Sequence, residues 1–290
     1  MNIPNGILND VVARALREDI GHADITTLAL IPADAQAEAH VAMREGGVIA
    51  GLQVLTAVWA AVDPAVWVTF HAADGERVER GAIIATVRGR TQSILTGERV
   101  ALNLLQRLCG IATMTARYVE AVRGLPARIL DTRKTTPGMR ALEKYAVHCG
   151  GGVNHRFGLY DAVLIKDNHL ALMGSGVDIT GAIQKARAAV GPLVKVEVEV
   201  EAIEQAREAA EAGADMILLD NMPPDAMREA VAVINGRALV EASGGITLDT
   251  VRAAAESGVD FISVGALTHG ARALDISLDV LPESPSAASR

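Results

Sequence analysis

From residue 127 onward the chain repeats one rhythm: a short apolar run ending in polar residues, then a stretch with apolar residues at helical spacing. The runs cover 128–131, 162–167, 193–200, 216–220, 238–243 and 261–265. The stretches between them include 179–190, 202–213, 224–234 and 248–257. Short strands alternating with helices predict a parallel sheet. Gly213 and Gly258 fall at the ends of two of these stretches, where a left-handed residue terminates a helix. The repeat length suits an α/β barrel. Only six runs are legible, so a full eight-fold barrel does not follow. A flat doubly wound sheet is the alternative, and it loses ground because no GxGxxG follows the first strand.

The first third reads differently. Residues 37–51 mix apolar and polar positions around a Gly46-Gly47 turn, and 66–70 and 83–87 are short β-branched runs. Gly75 and Gly81 punctuate the segment between these runs, which predicts strand, turn and strand. The pattern is that of a small antiparallel sheet with a helix over 52–62 packed against it. A long helix over 96–123 comes next, with Gly110 inside it as a place to bend or break.

Composition removes several function classes. Of 290 residues, half are hydrophobic and 21% charged, too apolar for a disordered chain. The net charge of −8 argues against general nucleic-acid binding, which shows a basic surplus. Three Phe, three Tyr and two Trp are too few for single-strand stacking platforms. No run approaches the roughly 18 uninterrupted apolar residues of a membrane helix. The stretch 1–10 has no basic or apolar region of a secretion signal. Cys109 and Cys149 are neither a metal cluster nor a disulfide framework. They read as reduced thiols of a cytoplasmic protein. His148, Cys149 and His155 are too irregularly spaced for a zinc pattern.

In an α/β barrel the chemistry sits at the C-terminal ends of the strands, and here those ends are charged. The first run leads into Arg133 and Lys134; the second ends in Lys166, Asp167, Asn168 and His169. Between them a glycine-rich loop carries His155 and Arg156. A locally basic zone in an acidic chain can focus an anionic small molecule. The alternative is a set of solvated loop charges, but adjacent cations repel unless an anion holds them.

The third run, LVKVEVEVE, has a period of two. Lys195, Glu197, Glu199 and Glu201 share one face and Val196, Val198 and Val200 the other. With the valines against helices, the charged face points into a barrel normally filled by apolar layers. Charges there are costly unless paired or ligand-bound. An edge strand with a solvent-facing charged side is the alternative. The fourth run ends in Asp220 and Asn221, and acidic residues at that place can hold a Mg²⁺-bound sugar diphosphate or ribose hydroxyls. An Asp at a strand end also often caps the next helix. The last two runs end in EASGGI and ISVGALTH, where a barrel often binds phosphate through backbone N–H groups.

Taken in order, GERVALNLLQRLCGIAT, DTRKTTPGMRALEKYAV, GGGVNHRFGLYDAVLIKDNH, VEVEVE, LLDN, EASGGI and VGALTH resemble the quinolinate phosphoribosyltransferase family, also called nicotinate-nucleotide pyrophosphorylase (carboxylating). The resemblance runs from Glu18 to Asp279. It implies an N-terminal α/β sandwich (1–108) followed by an open, incomplete α/β barrel (109–272), with the tail 273–290 returning to the first domain. It implies phosphoribosyl transfer from phosphoribosyl pyrophosphate to quinolinate, with decarboxylation to nicotinate mononucleotide. Lys134, Lys166, Glu199 and Asp220 would be catalytic. Quinolinate would meet Arg133, Lys134, His155, Arg156, Lys166 and, from a partner subunit, Arg99. Phosphoribosyl pyrophosphate would meet Lys134, Lys166, Glu199, Asp220, Ser243, Gly244, Gly245, Gly265, Ala266 and Leu267. Mg²⁺ would enter with that substrate near Glu199 and Asp220, with no organic cofactor. The resemblance also implies a head-to-tail homodimer with shared sites, leaving hexamers open. Three rivals stand beside this reading: a paralogue with another acceptor, a Schiff-base aldolase using Lys166, and a non-enzymatic anion-binding protein on the same fold.

Overall fold

The computed structural model describes residues 3–174 and 178–281. The part of the expected returning tail at 282–290 lies outside them. The described residues form two compact units: those of 3–116, 136–151 and 270–281 make one, and those of 117–135, 152–174 and 178–269 the other. The boundary expected at 108/109 falls inside the helix Thr91–Ala121.

In the first unit, β1 (Gln36–Met43) is the centre of an antiparallel sheet. It pairs with β5 (Ile83–Arg90), which pairs in turn with β3 (Trp67–Phe70). On its other side β1 pairs with β12 (Ile276–Leu281). The short strands β2 (Gly47–Val48) and β4 (Arg77–Val78) form a separate ladder. The helix Leu52–Val62 buries Leu55, Val58 and Trp59, and the Trp59 indole donates to Ile94 O at 3.1 Å. The long helix passes through Gly110 without a break. A Cβ there would lie 2.0 Å from Arg272 O, so this glycine serves a close backbone approach rather than a bend. A helix the sequence pattern did not reveal, Arg140–Cys149, buries Glu143, which takes a salt bridge from Arg107 at 2.8 Å.

The second unit contains six parallel strands: β6 (Arg128–Leu130), β7 (Val163–Ile165), β8 (Val196–Val200), β9 (Met216–Asp220), β10 (Leu239–Ser243) and β11 (Phe261–Ser263). Their order is β6-β11-β10-β9-β8-β7. Among the described residues β6 and β7 do not pair, so the barrel is open; the order runs one way round with no reversal point, which is not that of a doubly wound sheet. All six expected runs are strands. Helices Ile179–Ala189, Ile203–Glu211, Pro224–Ile234 and Val251–Glu256 lie between them. Gly213 and Gly258 each stand one residue past the cap of the preceding helix, with φ of 81° and 91°.

Because β8 is paired to β7 and β9, the edge-strand reading of VEVEV is excluded. Only the middle of its charged face turns inward, however. Glu197 is buried and Glu199 half-buried. Lys195 is exposed and ion-pairs with Asp215 at 2.9 Å, and Glu201 is exposed beyond the strand end. Parallel register sets Ser243 beside Asp220, so neighbouring strands deliver their last inward side chains to one place.

Candidate active site

At those strand ends lies a cleft of about 630 Å³. Arg133 and Lys134 follow β6, Lys166 follows β7, Glu199 and Asp220 come from β8 and β9, and Ser243, Gly244 and Gly245 from the end of β10. His155 and Arg156 enter on the loop before β7. Thus ten of the residues expected from the sequence face one space. Gly265, Ala266 and Leu267 are not in its lining. Leu267 is fully buried, and a Cβ on Gly265 would lie 3.1 Å from Lys134 Cδ. This segment backs Lys134, whose carbonyl accepts from Thr268 Oγ1 at 2.6 Å. Arg99 belongs to the other unit, where it lines a cleft of about 330 Å³ with Asp19, Asp24 and Thr96.

Local structure explains how each group is held. Asp131, fully buried at the end of β6, accepts from His155 N and from Asn154 Nδ2, both at 2.8 Å. Asp161 accepts the N–H groups of Phe157 and Gly158 and so closes the next turn. Lys166 ion-pairs with Glu199, and Asp220 Oδ2 accepts from Asn221 Nδ2 at 2.8 Å. Asn221 adopts a left-handed φ of 54°, tolerable for Asn. Gly244 packs against it so closely that a Cβ would meet Asn221 Oδ1 at 2.2 Å. With Gly244 and Gly245 at φ of 90° and 60°, the β10 loop is glycine for both conformation and space.

The electrostatics point to an anionic ligand. The Nε atoms of Arg133 and Arg156 are buried and have no hydrogen-bond partner, an arrangement that costs free energy unless a ligand completes it. Burial and then the neighbouring Arg133 pull the Arg156 guanidinium below its ordinary value. Two cations brought together in a half-desolvated cleft are stabilised by a bound anion. The same cleft carries Glu199 and Asp220, hard oxygen donors of the kind Mg²⁺ takes.

Sequence reasoning assigned no role to Glu241, which is fully buried yet lines this cleft. Its signal was the strand LVEAS: with Val240 and Ala242 on the outer face, period two turns Glu241 inward. Burial by itself disfavours the ionised form of His155, while the carboxylates of Glu197 and then Glu241 beside Nε2 favour it, so the three groups titrate together.

The family model for the N-terminal domain of quinolinate phosphoribosyl transferase matches residues 24–109, and that for its C-terminal domain matches 111–279. A Bacillus subtilis protein named as a probable nicotinate-nucleotide pyrophosphorylase (carboxylating) is 47% identical over 263 residues, 91% of this chain and 90% of the relative. The Mycobacterium leprae nicotinate-nucleotide pyrophosphorylase (carboxylating) is 46% identical, over 93% of this chain and 96% of its own. The solved structure of the nicotinate-nucleotide pyrophosphorylase from Francisella tularensis superposes with a TM-score of 0.92 at 39% identity, covering 97% of this chain and 98% of that one. No helix among the described residues is long and apolar enough to cross a membrane. With the two domain models matching 24–109 and 111–279 and relatives this similar over nearly their whole length, the chain belongs to the quinolinate phosphoribosyl transferase family.

Proposed function

We infer that this chain transfers the phosphoribosyl group of phosphoribosyl pyrophosphate to quinolinate and releases CO₂ and pyrophosphate, giving nicotinate mononucleotide for the de novo branch of NAD biosynthesis. The observation that carries the reading is the pair of buried, unpartnered Arg133 and Arg156 Nε atoms facing one cleft. Quinolinate has two adjacent carboxylates on a pyridine, and arginine grips a carboxylate in a fork.

The reading gives each residue work that its position allows. Arg133 and Arg156 hold the acceptor carboxylates with the His155 ring beside Arg156, and Lys134 and Lys166 add point charges for carboxylate and phosphate. The Ser243–Gly245 backbone cradles the 5′-phosphate, with Gly265, Ala266 and Leu267 supporting Lys134 from behind. As the bond from ribose to pyrophosphate breaks, positive charge grows on the sugar, and the carboxylates of Glu199 and Asp220 stabilise it. The pyridine nitrogen takes the ribose and becomes cationic. The adjacent carboxylate then leaves as CO₂, its electron pair stabilised at the ring carbon by that charge, and a solvent proton takes its place. No covalent nucleophile is needed; positioning and electrostatics supply the rate. Glu199, Asp220 and the Asn221 side chain fit Mg²⁺ as oxygen donors, and the ion, when bound, would neutralise the departing pyrophosphate. The two free cysteines favour a reducing, cytoplasmic setting.

The test is a product assay with purified protein, Mg²⁺ and phosphoribosyl pyrophosphate, offering quinolinate or nicotinate. Nicotinate mononucleotide and CO₂ from quinolinate alone are expected. Product from neither acceptor would move the reading to the paralogue or the binding protein. A reduced adduct on Lys166 after borohydride with a carbonyl substrate would move it to the aldolase. Asp220→Asn is expected to raise KM for phosphoribosyl pyrophosphate about 10- to 100-fold, the scale of one charged hydrogen bond, with quinolinate affinity little changed by direct titration.

The shared-site homodimer makes its own prediction. Arg99→Ala and Arg133→Ala proteins, each inactive alone, should recover activity when refolded together. Random pairing puts half the molecules in mixed dimers with one intact site, so about a quarter of the wild-type activity should return. No recovery in dimers that demonstrably exchange subunits would place Arg99 outside the partner's site.

A further inference from the structure

Three side chains from three different segments converge at the floor of the cleft. His155 Nε2 lies 3.1 Å from Glu197 Oε2 and 3.4 Å from Glu241 Oε2. The other ring nitrogen, Nδ1, accepts the backbone N–H of Arg156 at 2.7 Å. Arg156 is tied again through Nη1 to Ala162 O at 3.0 Å, and its Nε is left for a ligand. Both oxygens of Glu241 and one of Glu197 are buried without a hydrogen-bond partner.

We propose that Glu241 is a positioning residue for acceptor recognition: with Glu197 it fixes the His155 ring, and through Nδ1 of that ring it fixes Arg156. The inference rests on the reading of this cleft as the quinolinate site. Two isolated buried carboxylates would be prohibitive in free energy. They persist here because a proton is kept among the three groups. Burial raises Glu241, so the retained proton lies on the glutamates, and the ring keeps one hydrogen, on Nε2 toward them, with the Nδ1 lone pair accepting from Arg156. The groups that face the ring are Glu197 from β8, Glu241 from β10, Asp131 at the end of β6 through the backbone N–H, and the adjacent Arg156.

These are also the one group of His, Cys, Asp or Glu among the described residues spaced to hold a metal ion. The Arg156 N–H argues against that occupant. By donating to Nδ1 it puts the ring hydrogen on Nε2, where a metal needs a lone pair.

The test compares the wild-type protein with Glu241→Gln, using ¹⁵N-histidine NMR, KM and kcat from pH 6 to 9.5, and Mn²⁺ titration. His155 of the wild type should keep its Nε2 proton across the range. In E241Q that single Nε2 signal should give way to a mixture of ring tautomers. KM for quinolinate should then rise about tenfold, the size of one weakened charged contact, while KM for phosphoribosyl pyrophosphate stays put. An ordinary His155 titration in the wild type would overturn the proposal. So would an E241Q protein with an unmoved ring spectrum, or one in which kcat and both KM values worsen alike. One equivalent of Mn²⁺ bound by the wild type and lost in E241Q would replace it with a metal site. If E241Q does not fold, Glu197→Gln and the wild-type spectrum decide. A wild type that binds but does not turn over quinolinate would fail the functional reading and leave the NMR result standing.

Discussion

Replacing Arg133 by alanine is expected to lower kcat/KM for quinolinate about a thousandfold while leaving the melting temperature unchanged or slightly raised. The two halves of this expectation have one cause. In the free protein the Arg133 Nε is buried and unpartnered, and its charge stands against that of Arg156. Nothing in the fold is gained from that arrangement, so its loss costs the fold nothing. In the complex the same guanidinium meets a carboxylate in a desolvated cleft, and losing one partner of such a pair costs about 2–5 kcal/mol. At about 1.4 kcal/mol per tenfold, 4 kcal/mol is about a thousandfold. Arg133→Lys should fall between, because lysine keeps the charge and loses the fork. Steady-state kinetics with a parallel thermal melt checks both halves. Near-normal turnover in R133A would remove the acceptor assignment of the cleft. A collapse of stability would mean that Arg133 is structural.

Much of the second unit was legible from residue pattern because each of its strands is short, apolar and closed by a polar end. The period-two run of β8 told which residues share a face. It could not tell that the face changes environment along its length, from Lys195 with Asp215 at one end to buried Glu197 in the middle. Only the pairing of β8 on both sides settles that. Glu241 was passed over because period two only turns it inward; its meaning comes from Glu197 and His155, which arrive from distant sequence. The Gly265–Leu267 loop was assigned to phosphate on its place after the last strand and on the family resemblance, and the fold turns its leucine inward and leaves the loop out of the cleft lining. The helix Arg140–Cys149 hid because charged residues such as Glu143 and Lys144 are buried on it, which inverts the usual amphipathic pattern.

Gly110 is where sequence logic and structure give opposite signs, and the difference is large enough to measure. Glycine inside a helix is worth about 1 kcal/mol less than alanine, so Gly110→Ala read from sequence alone stabilises the protein. In the structure the added Cβ lies 2.0 Å from Arg272 O and 3.0 Å from its carbonyl carbon. Those atoms are backbone, with no rotamer to turn away, and must shift by more than 1 Å to restore ordinary contact. Overpacking costs about 1–3 kcal/mol where side chains can yield, and a rigid neighbour puts this position at or beyond the upper end. The steric term therefore exceeds the propensity term, and Gly110→Ala is expected to lose about 2–3 kcal/mol net. That corresponds to a fall of about 4–12 °C in melting temperature. Gly6 supplies the control: it lies in the helix Asn5–Ile20, and a Cβ there meets nothing within 4 Å. Gly6→Ala should follow propensity and raise the melting temperature by up to a few degrees. If both variants are stabilised, the close approach of the Arg272 backbone to the long helix does not exist in solution, and the unbroken helix through Gly110 needs another explanation.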